Sequence, residues 1–88
     1  MNTIEQVKKI LSKMNDNYII RIETVLFESN KSTEEKKLYK DNNTYYLSEM
    51  IKENDKIIFA DVLREVAEDI IVSILAQAIE NKSSIVIE

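Results

Sequence analysis

The carboxylates of residues 61–69 are the side chains whose types and spacing come nearest to a reactive site. Asp61, Glu65, Glu68 and Asp69 recur at i, i+3 and i, i+4 intervals, which on a helix would gather four acids on one face. Oxygen ligands of this kind suit Mg²⁺ or Ca²⁺. Arg64 stands among them, and a charged helix face is ordinarily just solvated. All-carboxylate sites also draw ligands from several elements, and no second acidic cluster accompanies this one. The remaining catalytic inventory is short. The chain has no His and no Cys, which removes the commonest general base, thiolate nucleophiles and thiolate metal sites. It has no Gly, so phosphate-cradling glycine loops are excluded. The expectation is a protein that is not an enzyme, with no catalytic residue, no metal ligand and no cofactor.

Binding chemistry is better represented. Lys8, Lys9, Lys13, Lys31, Lys36, Lys37 and Lys40 could form a basic patch, with Tyr39, Tyr45 and Tyr46 as stacking surfaces for single-stranded bases. The plainer account is a helix surface beside an edge strand with aromatic cross-strand pairs. Only two Arg are present and the net charge is −4, which argues against direct nucleic-acid binding. The charge is unevenly spread. Residues 1–44 hold eight cationic and seven acidic side chains, net +1, whereas residues 45–88 hold four and nine, net −5. Spaced carboxylates can imitate a phosphate backbone and enter a cationic groove. The expected acidic partner surface is Glu49, Glu53, Asp55, Asp61, Glu65, Glu68 and Asp69.

The elements that must position these groups follow from periodicity. Ile4, Val7, Ile10, Leu11 and Met14 form one helical stripe, with Thr3 and Gln6 as a capping box and Asn15-Asp16-Asn17 as the stop. Tyr18–Phe27 is rich in β-branched and aromatic residues and reads as a strand, with a helix as the open alternative. Residues 29–34 read as a polar loop. Lys36–Lys40 and Thr44–Leu47 flank an Asn-rich turn and read as a hairpin. Ser48–Glu53 could be one or two helical turns. Ile57-Ile58-Phe59 fits either a short strand or a helix start.

Residues 61–80 carry the strongest helical pattern, with Asp61 as N-cap and Asn81 as a left-handed C-cap. Its second half is apolar nearly all round, so it needs cover on more than one side. The first helix could supply that cover, or a second copy could, through Ile70, Ile71, Ile74, Leu75 and Ile79. This apolar surface is the expected dimer or partner contact if the protein is a homodimeric regulator of antitoxin type. The tail Ser83–Glu88 has strand character.

The expected class is therefore α+β. An N-terminal helix, a three-stranded antiparallel meander, a long C-terminal helix packed on the sheet and a terminal strand form one domain over residues 1–88. The longest apolar run, Ile70–Ile79, is too short for a membrane span of about 20 residues. Met1–Met14 mixes charges through its apolar residues, unlike a signal peptide. A small domain without Cys fits a reducing compartment, so the cytoplasm is expected. In size, acidity and helix–strands–helix outline the chain resembles small phage- or plasmid-borne inhibitors such as anti-CRISPR proteins. That resemblance implies a protein partner that itself binds nucleic acid; no functional residue is carried over on it.

Overall fold

The computed structural model describes residues 2–14, 18–26 and 31–88. It is an α+β arrangement of two helices and a six-stranded antiparallel sheet. The elements run α1 Thr3–Lys13, β1 Ile19–Val25, β2 Ser32–Asp41, β3 Thr44–Glu53, β4 Lys56–Ala60, β5 Arg64–Val66, α2 Glu68–Glu80 and β6 Ser84–Ile87. The sheet order is β4-β3-β2-β1-β6, with β5 also paired to β3. Because β2 holds one side of β3 along its whole length, β4 and β5 share the other side. β4 lies along Met50–Glu53 and β5 along Tyr45–Leu47.

α1 begins one residue earlier than the capping-box reading places it. Asn2 is the N-cap, and its Oδ1 accepts a hydrogen bond from the Glu5 N–H at 2.8 Å. Thr3 is instead the first helical residue. The stop expected at Asn15-Asp16-Asn17 lies outside the described residues, as do Phe27 and the start of the loop at 29–30. Residues 32–34, expected as loop, belong to β2, whose ladder with β1 runs from Ile19↔Tyr39 to Val25↔Thr33.

Two Asn-bearing turns replace the glycine turns this chain lacks. Asn42 and Asn43 have φ of 48° and 67°, and Asn54 and Asp55 have 53° and 63°. Both central residues of a two-residue hairpin of this hand need positive φ, which Asn and Asp tolerate best among residues with a Cβ. The first turn joins β2 to β3 as expected. The second joins β3 to β4 and shows why the helical reading of Ser48–Glu53 fails. Those residues continue β3, satisfying their backbone groups with β2 on one side and β4 on the other. The meander thus extends beyond three strands.

The helix expected over 61–80 is also corrected. Only Glu68–Glu80 is helical, with Ala67 at the N-cap. Residues 64–66 are drawn into β5 because the edge of β3 at Tyr45–Leu47 offers a ladder, and tertiary pairing overrides a weak local helix preference. At the other end Asn81 has φ −84° and is not left-handed; Lys82, at φ 56°, is. The Lys82 N–H bonds to the Ile79 carbonyl at 3.2 Å and the Ser83 N–H to the Ala78 carbonyl at 2.9 Å. These two bonds are the Schellman pattern that closes a helix.

The core lies between one sheet face and the helices. Ile20 stands opposite Leu38, which stands opposite Leu47, so the three share that face. They are fully buried with Ile71 and Leu75 of α2, and Val7, Met14, Ile22 and Ala78 complete the cluster. Each such aliphatic side chain contributes about 1.5–3 kcal/mol relative to exposure. The tail forms β6 antiparallel to β1, placing Ile85 opposite Ile22. No helix among the described residues is long and apolar enough to cross a membrane.

Candidate protein-binding edge

The order of the strands decides what is exposed. β6 is the outermost strand on the β1 side of the sheet, and β4 with β5 forms the opposite border. All five residues of β4 are exposed. Ile57, Ile58 and Phe59 are 53%, 55% and 46% accessible, and the connection that follows exposes Val62 at 79% and Leu63 at 53%. Among the described residues β4 is laddered only to β3, and an apolar strand at a sheet border is a template for another chain. Natural borders are usually blunted by Lys or Pro. Here Lys56 is the only such residue in β4, and a register shift between Ile51 and Lys52 adds a bulge.

The expected acidic residues lie along this same border but not on one helix face. Glu53 ends β3, Asp55 sits in the β3–β4 turn, Asp61 lies between β4 and β5, and Glu65 is in β5. Glu68 and Asp69 form the first turn of α2, where negative charge complements the helix dipole. Asp61, Glu65, Glu68 and Asp69 therefore occupy a connection, a strand and a helix. Among the described residues no group of three or more acids is close enough to hold a metal ion.

One basic group enters the row. The Arg64 Nε donates to Asp61 Oδ2 at 3.0 Å, and its Nη2 donates to Glu49 Oε1 at 3.4 Å. The Asp61 backbone N–H bonds to the Glu49 carbonyl at 2.7 Å, and the Ser48 hydroxyl reaches the Asp61 carbonyl at 3.2 Å. These contacts pin the end of β4 against β3, so the border is held in place where it leaves the sheet. Two carboxylates share one guanidinium there, and the site stays net negative.

The other expected surfaces come out differently. Of Ile70, Ile71, Ile74, Leu75 and Ile79, the structure buries Ile71 and Leu75 completely and packs Ile74 and Ile79 against the core. Only Ile70 is exposed, at 44%. The two-sided cover that α2 requires comes from the sheet and from α1 within one chain, so the five residues do not form one free surface. An apolar groove of about 320 Å³ remains between the helices, lined by Ile4, Val7, Leu11, Val72 and Ala76.

The lysine–tyrosine platform is likewise dispersed. Tyr39 and Tyr46 face each other across β2 and β3 with ring centroids 6.1 Å apart. Tyr45 lies on the opposite sheet face, with Lys40 Nζ 5.7 Å from its ring. Lys36 pairs with Glu34 and Lys37 with Glu35. The tyrosines and Lys40 thus meet neighbours across β2 and β3, and Lys36 and Lys37 pair with acids of their own strand.

Sequence reading did not single out Ile57, Ile58, Phe59, Val62 or Leu63 as a candidate surface, though the first three stand in an uninterrupted apolar run between Lys56 and Asp61. Such a run reads as a buried central strand, and only the strand order reveals it as a border. No protein-family model, curated protein or solved structure matches the chain, so the functional argument rests on the site's own chemistry.

Proposed function

We propose that the protein is a non-catalytic protein-binding module that presents the β4–β5 border to a basic partner. The observation that carries this reading is the exposure of every residue of β4 together with Val62 and Leu63. Contiguous apolar exposure framed by charge marks an interaction surface. Desolvation of Ile57, Ile58, Phe59, Val62 and Leu63 would supply affinity. The carboxylates from Glu49 to Asp69 would set approach and orientation. A concrete form is a small cytoplasmic inhibitor of the phage or plasmid type, whose spaced acids occupy the cationic groove of a nucleic-acid-binding protein.

The test is affinity capture from a host lysate with the intact chain and with Ile58→Asp. Ile58 is half exposed on the outermost strand, so the substitution leaves the core intact. The expected result is a basic partner retained at low salt, weakened at high salt, and lost with the variant. The same partner held equally by both proteins at all salt concentrations would refute the reading.

A further inference from the structure

We infer that the other border of the sheet pairs with a second copy of this chain, β6 against β6 about a two-fold axis, so that two sheets join edge to edge. The two borders are not alike. β4 is guarded by Lys56 and by the register shift opposite Ile51 and Lys52. β6, Ser84-Ile85-Val86-Ile87, has no Lys, no Pro and an unbroken register with β1; its short length is the guard it keeps. Among the described residues it is laddered only to β1. Val86 and Ile87 are 42% and 38% exposed.

The ladder with β1 fixes which backbone groups face outward. The Glu88 N–H donates to the Ile19 carbonyl at 2.8 Å, and the Ile19 N–H donates to the Glu88 carbonyl at 3.3 Å. Pairs that exchange both bonds alternate along an antiparallel ladder, so Val86 with Arg21 and Ser84 with Glu23 are the next of that kind. Ile85 and Ile87 therefore turn their N–H and carbonyl groups away from β1. β6 of a second copy meets them when Val86 lies on the two-fold axis. Each Ile85 then stands opposite Ile87 of the other copy, and the N–H of either reaches the carbonyl of the other.

Side chains match in the same register. Ile85 and Ile87 stand beside Ile22 and Ile20, on the face that the helices cover. Pairing at Val86 continues the row Ile22, Ile85 into Ile87 and Ile20 of the second copy, and the symmetry-related row does the same. Apolar cross-strand neighbours of this kind stabilise sheets. On the other face Val86 meets its own mate. Glu88, held by Arg21 at 2.7 Å, comes opposite Ser84 of the other copy, so no like charges are directly opposed. A symmetric register centred on Ile85 instead sets Ile87 against Ser83 and Val86 against Ser84, pairing apolar groups with hydroxyls. β6 thus answers its own backbone pattern and its own isoleucines, and two-fold self-contacts are the commonest form of oligomer. The join leaves β4 and β5 at the far ends, so the dimer carries the β4–β5 border twice.

The experiment follows the mass of the full chain by sedimentation from micromolar to millimolar concentration, with amide exchange to locate the contact. Val86 is exposed and lies on the face away from the helices, so Val86→Lys and Val86→Glu leave the core intact. Each variant alone opposes like charges on the axis, whereas a mixture of the two opposes Lys and Glu. The proposal expects a monomer–dimer equilibrium in which the Ile85 and Ile87 amides gain protection with concentration. It expects a dimer at least tenfold weaker for either variant alone, and its recovery in the mixture. A chain that stays monomeric throughout, a dimer that both variants leave unchanged, or variants that the mixture does not rescue overturns the proposal. Ile58→Asp, which tests the opposite border, should lose partner capture and keep the dimer; a dimer that it breaks, with protection at β4, makes β4 the joining strand and refutes the pairing of β6.

Discussion

Lys82 holds the position at which helices most often place glycine, and replacing it should stabilise the protein. It follows the C-cap of α2 with φ 56°, and the Schellman bonds from Lys82 and Ser83 to Ile79 and Ala78 depend on that conformation. A residue with a Cβ costs about 1–2 kcal/mol in the left-handed region. Glycine removes that cost but forfeits about 0.5–1 kcal/mol of chain entropy. The net gain for Lys82→Gly is therefore about 0.5–1 kcal/mol, less any loss from removing a cation near the helix C-terminus. Lys82→Ala loses the same charge but keeps the Cβ, so the difference between the two variants isolates the backbone term. At about 4–8 °C per kcal/mol for a domain of this size, Lys82→Gly should melt a few degrees above Lys82→Ala. Thermal and urea unfolding followed by circular dichroism would measure this, with the urea slope unchanged. If the two variants have equal stability, the strain argument at this helix end is wrong.

Other substitutions probe the remaining parts of the account. Leu75→Ala, at a fully buried site, should cost about 2–5 kcal/mol. Against the roughly 4–13 kcal/mol expected of a chain this long, that loss should be visible as a large drop in melting temperature, whereas Ile70→Ala at an exposed site should change little. Asn2→Ala removes the side chain that caps α1 and should cost about 1 kcal/mol in urea unfolding. Ser83→Ala breaks the 2.7 Å bond between the Ser83 and Thr24 hydroxyls, which ties the α2–β6 junction to β1, and should cost about 1 kcal/mol. Arg64→Ala should alter stability by no more than about 1 kcal/mol, since its ion pairs are solvent-exposed. It makes the border more acidic, so stopped-flow association with a basic partner should become faster and more salt-dependent.

The legible parts of the fold were those encoded by neighbours in sequence. The Ile4–Met14 stripe announces α1, the β-branched run after Tyr18 announces β1, and Asn42-Asn43 between two strand-like segments announces a hairpin. Ile85, Val86 and Ile87 were enough to suggest the returning strand. The failures share one cause. Ser48–Glu53 and Arg64–Val66 carry charged residues at spacings compatible with a helix, yet the first continues β3 between β2 and β4 and the second pairs along β3 as β5. A segment beside an unfilled strand edge gains a full ladder of hydrogen bonds by extending. That gain depends on residues far away in sequence, so periodicity within the segment does not report it.

The site was illegible for the same reason, and the illegibility is informative. Composition drew attention to the acids, and most of them do lie along one border. Their significance, however, depends on the exposed apolar strand they frame, and that exposure is a property of strand order. The run from Ile57 to Ala60 would be unremarkable in the centre of a sheet. It lies outside because β2 takes the far side of β3, while β6 returns to β1 and forms the other border. Lys56 and the register shift opposite Ile51 and Lys52 guard that strand as natural borders are guarded, while Ile57, Ile58 and Phe59 would suit a strand with a neighbour on each side. Where local sequence and global position disagree in this way, a functional demand is the usual source of the conflict.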